Sequence, residues 1–325
     1  MPALRRRLVL LSCLVATLAC ERTPMRSIEP PDAPAFAMAS GEWSVPEQQG
    51  TAVNSPYREL APSLSADGLS LWFNSDRPTD GVDRDPRLNL PFDIYVARRA
   101  CLECPWEPAR NVGSPVNGPE ADDNDGTPAL SHDGHLLFWS SNREGSVDGS
   151  EDIWMAHRQN PDDDYGWSEP VNLGPLVNTA AHEASPSYVV AAPGGHAHLY
   201  FGRQGTGVMV VTISRQGEPL GPAVPVPELA VAGSPSVRLD GREVLFWSSL
   251  IPDRMGATDL YVSTRANPVA PWSAPVNLGA PVNTTGGELE GAISYDGMTL
   301  VFSGTEARPG GTLGRQDIFL STRRR

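Results

Sequence analysis

The sequence predicts an all-β fold, a five-bladed β-propeller whose ring is closed by an N-terminal strand. Two observations carry this reading. Four near-copies of one pattern pair an Asp-Gly turn with a later Asp-aromatic strand: Asp67-Gly68 with Asp93-Ile94-Tyr95, Asp133-Gly134 with Asp152-Ile153-Trp154, Asp240-Gly241 with Asp259-Leu260-Tyr261, and Asp296-Gly297 with Asp317-Ile318-Phe319. The second observation is a spacing: Asp133 to Asp240 and Asp152 to Asp259 are both 107 residues, close to two repeat lengths. A fifth, eroded copy therefore lies between them, with Gly194-Gly195 at the turn and Leu199-Tyr200-Phe201-Gly202-Arg203 matching Leu136-Leu137-Phe138-Trp139-Ser140. Self-similarity at a fixed period signals a repeat architecture.

Turn residues cut each unit into four strands. Pro62, Pro128, Pro186 and Pro235 mark the inner strand of four units, and the Asp-Gly turn joins it to the second. That second strand is apolar on both faces, as in Leu71-Trp72-Phe73 and Val244-Leu245-Phe246-Trp247, which requires burial on both sides. The Asp-aromatic segment is the third strand. A Trp-Pro segment, Trp106-Glu-Pro, Trp167-Ser-Glu-Pro and Trp272-Ser-Ala-Pro, leads the outer fourth. Such sheets stacked radially form a propeller. The last unit ends with its third strand near Thr322, while an unpartnered Gly41-Glu42-Trp43-Ser44-Val45-Pro46 stands ahead of the first unit. Donated to the last blade, it closes the ring and leaves no open edge.

Ahead of the repeats, Arg5-Arg6-Arg7 and the apolar run from Leu8 to Ala19 read as a signal peptide over residues 1–19. The run is too short for a permanent membrane span. Thr17-Leu18-Ala19-Cys20 resembles a bacterial lipobox, which makes Cys20 the expected lipidation site and membrane anchor. Residues 20–40, with Pro24, Pro30, Pro31 and Pro34, read as a flexible tether, and residues 41–325 as the propeller. Loss of the leader's three arginines takes the formal charge from −14 to −17, which argues against nucleic acid as a partner.

The motifs Ser-x-Asp-Gly-x-x-Leu-x-Phe, Asp-Ile-Tyr-x-x-x-Arg and Trp-x-x-Pro-x-Asn-Leu-Gly-x-x-Val-Asn resemble the WD40-like repeats called PD40, found in TolB-like periplasmic proteins and bacterial envelope lipoproteins. The resemblance spans residues 41–325 and implies a propeller in the cell envelope, periplasmic or at the outer membrane, with no single activity attached.

Four units carry an acid just before the inner strand, Glu59, Asp125, Glu183 and Glu288, where the fourth unit has Ala232. Inner strands line a propeller's channel, so these acids could ring one mouth and hold a cation or a basic loop, or each could accept hydrogen bonds within its own blade. Their equivalence argues against catalysis, since a glycosidase needs two carboxyls in unlike environments. Trp247 lies where other blades have Asn, Ser or Gly, and is a further candidate for partner binding. Asp93, Asp152, Asp259 and Asp317 are expected to tie loops, through Arg77, Arg143 or Arg308. Calcium is a weak candidate, because the acid clusters at 122–125 and 162–164 lack the spacing of a calcium loop, and no metal site or other cofactor is expected. Cys101 and Cys104 are expected to form a local disulfide. The sequence reading is thus a non-enzymatic binding propeller that recognises an envelope protein or cell-wall component through its long loops and acidic mouth. A carbohydrate-active or lactone-type hydrolase and a metal-stabilised structural propeller are the alternatives.

Overall fold

The structure, a computed structural model, describes residues 43–323 except 80, 81, 83, 191–195, 306, 307 and 309–312. The signal peptide, Cys20, the tether and the Gly194-Gly195 turn lie outside the described residues. The chain builds five four-stranded antiparallel sheets. After β1 (Glu47–Gln48), blade one is β2 (Glu59–Leu64), β3 (Ser70–Ser75), β4 (Asp93–Arg98) and β5 (Arg110–Asn111). Blade two is β6 (Asp125–Leu130), β7 (Leu136–Ser141), β8 (Asp152–His157) and β9 (Val171–Asn172). Blade three is β10 (Glu183–Val190), β11 (Ala197–Arg203), β12 (Gly207–Ile213) and β13 (Val224–Pro225). Blade four is β14 (Gly233–Val237), β15 (Glu243–Ser248), β16 (Asp259–Thr264) and β17 (Val276–Asn277). Blade five takes β18 (Glu288–Ile293), β19 (Thr299–Thr305) and β20 (Gln316–Thr322) from the chain end and β1 from its start.

The ring therefore closes as the repeat phase requires, with Glu47 paired to Leu320 and Gln48 to Phe319. The ladder sits just after the expected segment 41–46, of whose described residues Trp43 forms a bridge to Arg323 and Ser44 hydrogen-bonds Ser321 and Thr322. Pro46 has no N–H to give a ladder, so regular pairing starts beyond it.

Five buried clusters fill the five blade interfaces. Phe138 of blade two meets Leu199 and Phe201 of blade three, and Leu71 and Phe73 of blade one meet Val301 and Ile318 of blade five. Strands β3 and β7 are buried along their whole length, which explains their lack of polar alternation. Each such aromatic or aliphatic side chain contributes about 1.5–3 kcal/mol by leaving water.

The remaining repeat residues are internal fastenings. Asn117, Asn178 and Asn283 each bond both backbone groups of a third-strand residue, Ile94, Ile153 and Leu260. Asn54 does the same to Ile318 and so ties the start of blade one to the end of blade five. Asp93, Asp152 and Asp259 accept from the outer-strand Asn111, Asn172 and Asn277, and Gln48 takes that role toward Asp317 in the closing blade. The arginines expected to bind these aspartates go elsewhere, as described below. Cys101 and Cys104 are disulfide-bonded in the turn after β4.

Candidate functional site

The inner strands β2, β6, β10, β14 and β18 all break register in their middle. At each break one non-glycine residue takes a positive φ: Ala61 at 49°, Thr127 at 53°, Ser185 at 56°, Ser234 at 47° and Glu290 at 42°. Such a conformation costs on the order of 1–3 kcal/mol and persists only where the surroundings enforce it. A bulge re-aims a side chain, and here all five residues line an axial space of about 80 Å³. Four are small and one is a carboxylic acid. Tyr295 crosses this channel, its hydroxyl from blade five donating to the Leu130 carbonyl of blade two at 3.1 Å.

Thr127, Ser185, Ser234 and Glu290 also face a second, wider cavity of about 720 Å³, within the usual range for ligand pockets. Trp247, Ala232 and Leu250 of blade four form one wall, and Asn124, Glu151 and His182 another. The blade-four wall reflects a loss. In the other blades the acid that opens the inner strand pairs with an arginine at or just beyond the end of the second strand: Glu59 with Arg77 at 2.7 Å, Asp125 with Arg143 at 2.5 Å, Glu183 with Arg203 at 2.7 Å and Glu288 with Arg308 at 2.7 Å. Blade four has Ala232 in place of the acid, and Leu250 eighteen residues on, where Arg77 follows Glu59 and Arg143 follows Asp125. Both partners are missing together, as the cost of a buried unpaired charge demands.

Glu59, Asp125, Glu183 and Glu288 are fully buried and line neither the axial space nor the wide cavity. Their arginines also donate to the carbonyls of Val53, Val116, Val177 and Val282, pinning each blade to the segment that leads into it. Burial pushes the Glu59 and Glu288 carboxyls up, against the pull of Arg77 and Arg308. Trp247 does face the cavity. Its indole lies over Gly233, where an added Cβ would come 2.6 Å from the ring, and its Nε1 donates to the Ser234 hydroxyl at 3.0 Å. Among the described residues no three His, Cys, Asp or Glu side chains converge on a metal-sized site.

Glu290 and Glu151 were not among the sequence candidates, and they are the two acids of this cavity. Burial pushes the Glu290 carboxyl up to about 7. A backbone hydrogen bond from Ala61 and the charge of Arg58 pull it down, and the charge of Glu151 adds to the rise. Its Oε2 is buried without any hydrogen-bond partner. Glu151 is placed differently: Asn124 donates to its Oε1 and His182 Nε2 stands 3.6 Å from its Oε2. A signal for Glu290 was present in the aligned inner strands, where Ala61, Thr127, Ser185 and Ser234 precede proline and the fifth unit has Glu290-Gly291. Glu151, beside the repeated Asp152, carried none.

No family model and no curated protein matches the chain. Among solved structures, the native arabinanase of Bacillus subtilis aligns at 14% identity with a TM-score of 0.57, covering 85% of this chain and 97% of that one. A family 62 glycoside hydrolase in complex with xylotriose aligns at 10% identity and TM-score 0.58, covering 89% and 99%. A family 117 glycoside hydrolase of Zobellia galactanivorans aligns at 13% and 0.55, covering 86% and 90%. At these identities the likeness shows a shared fold.

Two expectations are corrected. The PD40-type repeat family is not supported, because no family model matches and the solved structures named above are glycoside hydrolases. The reading as a non-enzymatic binding propeller for an envelope or cell-wall partner falls for the same reason, and its supporting argument fails on geometry. That argument assumed acids in equivalent positions, whereas the cavity acids are Glu290, which has no acidic counterpart in the other blades, and Glu151, in a different setting.

Proposed function

We propose that the chain is a carbohydrate-acting hydrolase that cleaves a glycosidic bond in the cavity between Trp247 and Glu151. The observation that carries this reading is the pair of carboxyls in unlike environments within one cavity. Glycoside hydrolysis needs one carboxyl that keeps its proton and one that is charged. With its carboxyl pushed up to about 7 by burial, Glu290 keeps its proton at pH values where an ordinary glutamate has lost it. Its Oε2 has no hydrogen-bond partner to hold that proton, and a turn of the carboxyl out of its buried position brings it to the leaving glycosidic oxygen. Glu151 supplies the negative charge required at the anomeric carbon. Trp247 has its N–H engaged by Ser234, so it offers a ring face against which a sugar can lie. The apolar leader and Cys20 support placing this catalyst outside the cytoplasm on a lipid anchor. Incubating the parent protein and Glu290→Gln with xylan, arabinan and their oligosaccharides tests the reading. New reducing ends are expected from the parent and almost none from the variant; a parent that cleaves no member of the panel overturns it.

A further inference from the structure

The wide cavity does not end at Glu151. A second space of about 430 Å³ continues outward, lined by Asn89, Asn142 and Ser150 and by the same Asn124, Glu151 and His182 that wall the first. Glu151 therefore stands at the junction of two cavities. A glycosidic bond under attack has a sugar on each side, and a carboxylate at such a junction has room for one on each side too. The two spaces differ in chemistry. The first offers Trp247, Leu250 and Val231, and the second offers amides and a hydroxyl, groups that match sugar hydroxyls.

Charge narrows the ligand further. Among the described residues facing the two spaces, the acids are Glu151 and Glu290, and the basic groups are Arg203 and His182. Arg203 is committed to Glu183, and Arg315, which reaches Asn89, lies at the exposed rim. An acidic sugar would meet two carboxyls and no uncommitted guanidinium within the cavity.

We infer that the substrate is an extended neutral glycan, one unit held against Trp247 and the chain continuing past Glu151 over Asn89, Asn142 and Ser150. The inference rests on the hydrolase reading for the position of the reacting bond, but its test reads binding. Titration calorimetry on Glu290→Gln uses two ladders of one to six units, xylose to xylohexaose and arabinose to arabinohexaose, with galacturonic acid oligomers of the same lengths as the charged comparison. At least one neutral ladder should gain affinity by about tenfold or more between one and four units, equivalent to about 1.4 kcal/mol. Ser150→Trp, which fills the outer space, should erase that gain, and Asn89→Ala should reduce it in part. Affinity independent of length, equal losses for short and long ligands, tighter binding of the acidic ladder, or no binding of either neutral ladder up to millimolar concentration would each overturn it. Length-dependent binding with no cleavage by the parent removes the hydrolase and keeps the extended site; cleavage with length-independent binding removes only the extended site.

Discussion

Glu290 and Ala61 hold the same place in neighbouring inner strands, both at positive φ, and the Ala61 backbone bonds the Glu290 carboxyl. The repeat thus delivers an acid to the channel axis in one blade out of five, and neighbouring backbone steadies it while burial strips its other oxygen of partners.

Stability should register that burial. Because the Glu290 carboxyl is raised from 4.5 to about 7, the unfolded chain gives up this proton first as pH rises. The folded state is then penalised progressively from pH 4.5 to 7 and fully above, by at most on the order of 3 kcal/mol. Glu290→Gln should match the parent in urea melts at pH 4 and exceed it at pH 8. Equal stability at both values would refute the burial argument.

Removing the charge of Glu151 should ease Glu290. In Glu151→Gln, a carbon-13 carboxyl titration should show the Glu290 midpoint move to lower pH, since the Glu151 charge contributes to its rise. A midpoint that stays put would separate the two acids electrically and dismantle the proposed pair.

The blade ion pairs should behave as buried structural pairs. Arg308→Met strands Glu288, which has no exposure, and should cost about 3–5 kcal/mol in denaturant unfolding. Adding Glu288→Gln should recover part of that loss. A neutral effect from the single change would mean that the pair is not buried in solution.

Trp247 is expected to act on ligand more than on folding. Trp247→Ala should weaken binding of neutral oligosaccharides about threefold to tenfold, the range of an aromatic contact. Gly233→Ala should reproduce the loss while keeping the ring, because the new Cβ displaces the indole. Wild-type affinity in both variants would take Trp247 out of the site.

Ring closure should be the weak seam. Trp43 packs with Leu300 and Phe319 of blade five, and the Arg323 guanidinium lies 4.9 Å from its ring. Trp43→Ala should cost about 3–5 kcal/mol, and hydrogen exchange should show β20 losing protection ahead of β7. Uniform loss across all blades would show the ring to unfold as a single unit.

Much of the fold was legible because each blade repeats its instructions locally. Asp-Gly turns, doubly apolar second strands and the phase of Trp43 set the number of blades, their strand order and the exchange of an outer strand between the chain ends. These depend on turn chemistry and on which faces are buried, both written within a few residues. The repeated acids were equally visible, but their partners were not, because Arg77, Arg143, Arg203 and Arg308 lie about twenty residues away and choose Glu59, Asp125, Glu183 and Glu288 over the third-strand aspartates.

The sequence by itself determined a closed ring of five similar sheets and marked blade four, with Ala232 and Trp247, as the unlike one. Only the tertiary structure decided which acids face open space. A bulge at positive φ aims Glu290 down the channel, while the conspicuous repeated acids turn inward to arginines. Side-chain direction in a broken strand depends on the backbone dihedral that the neighbouring blades impose, and that is not a property of the residue or of its spacing.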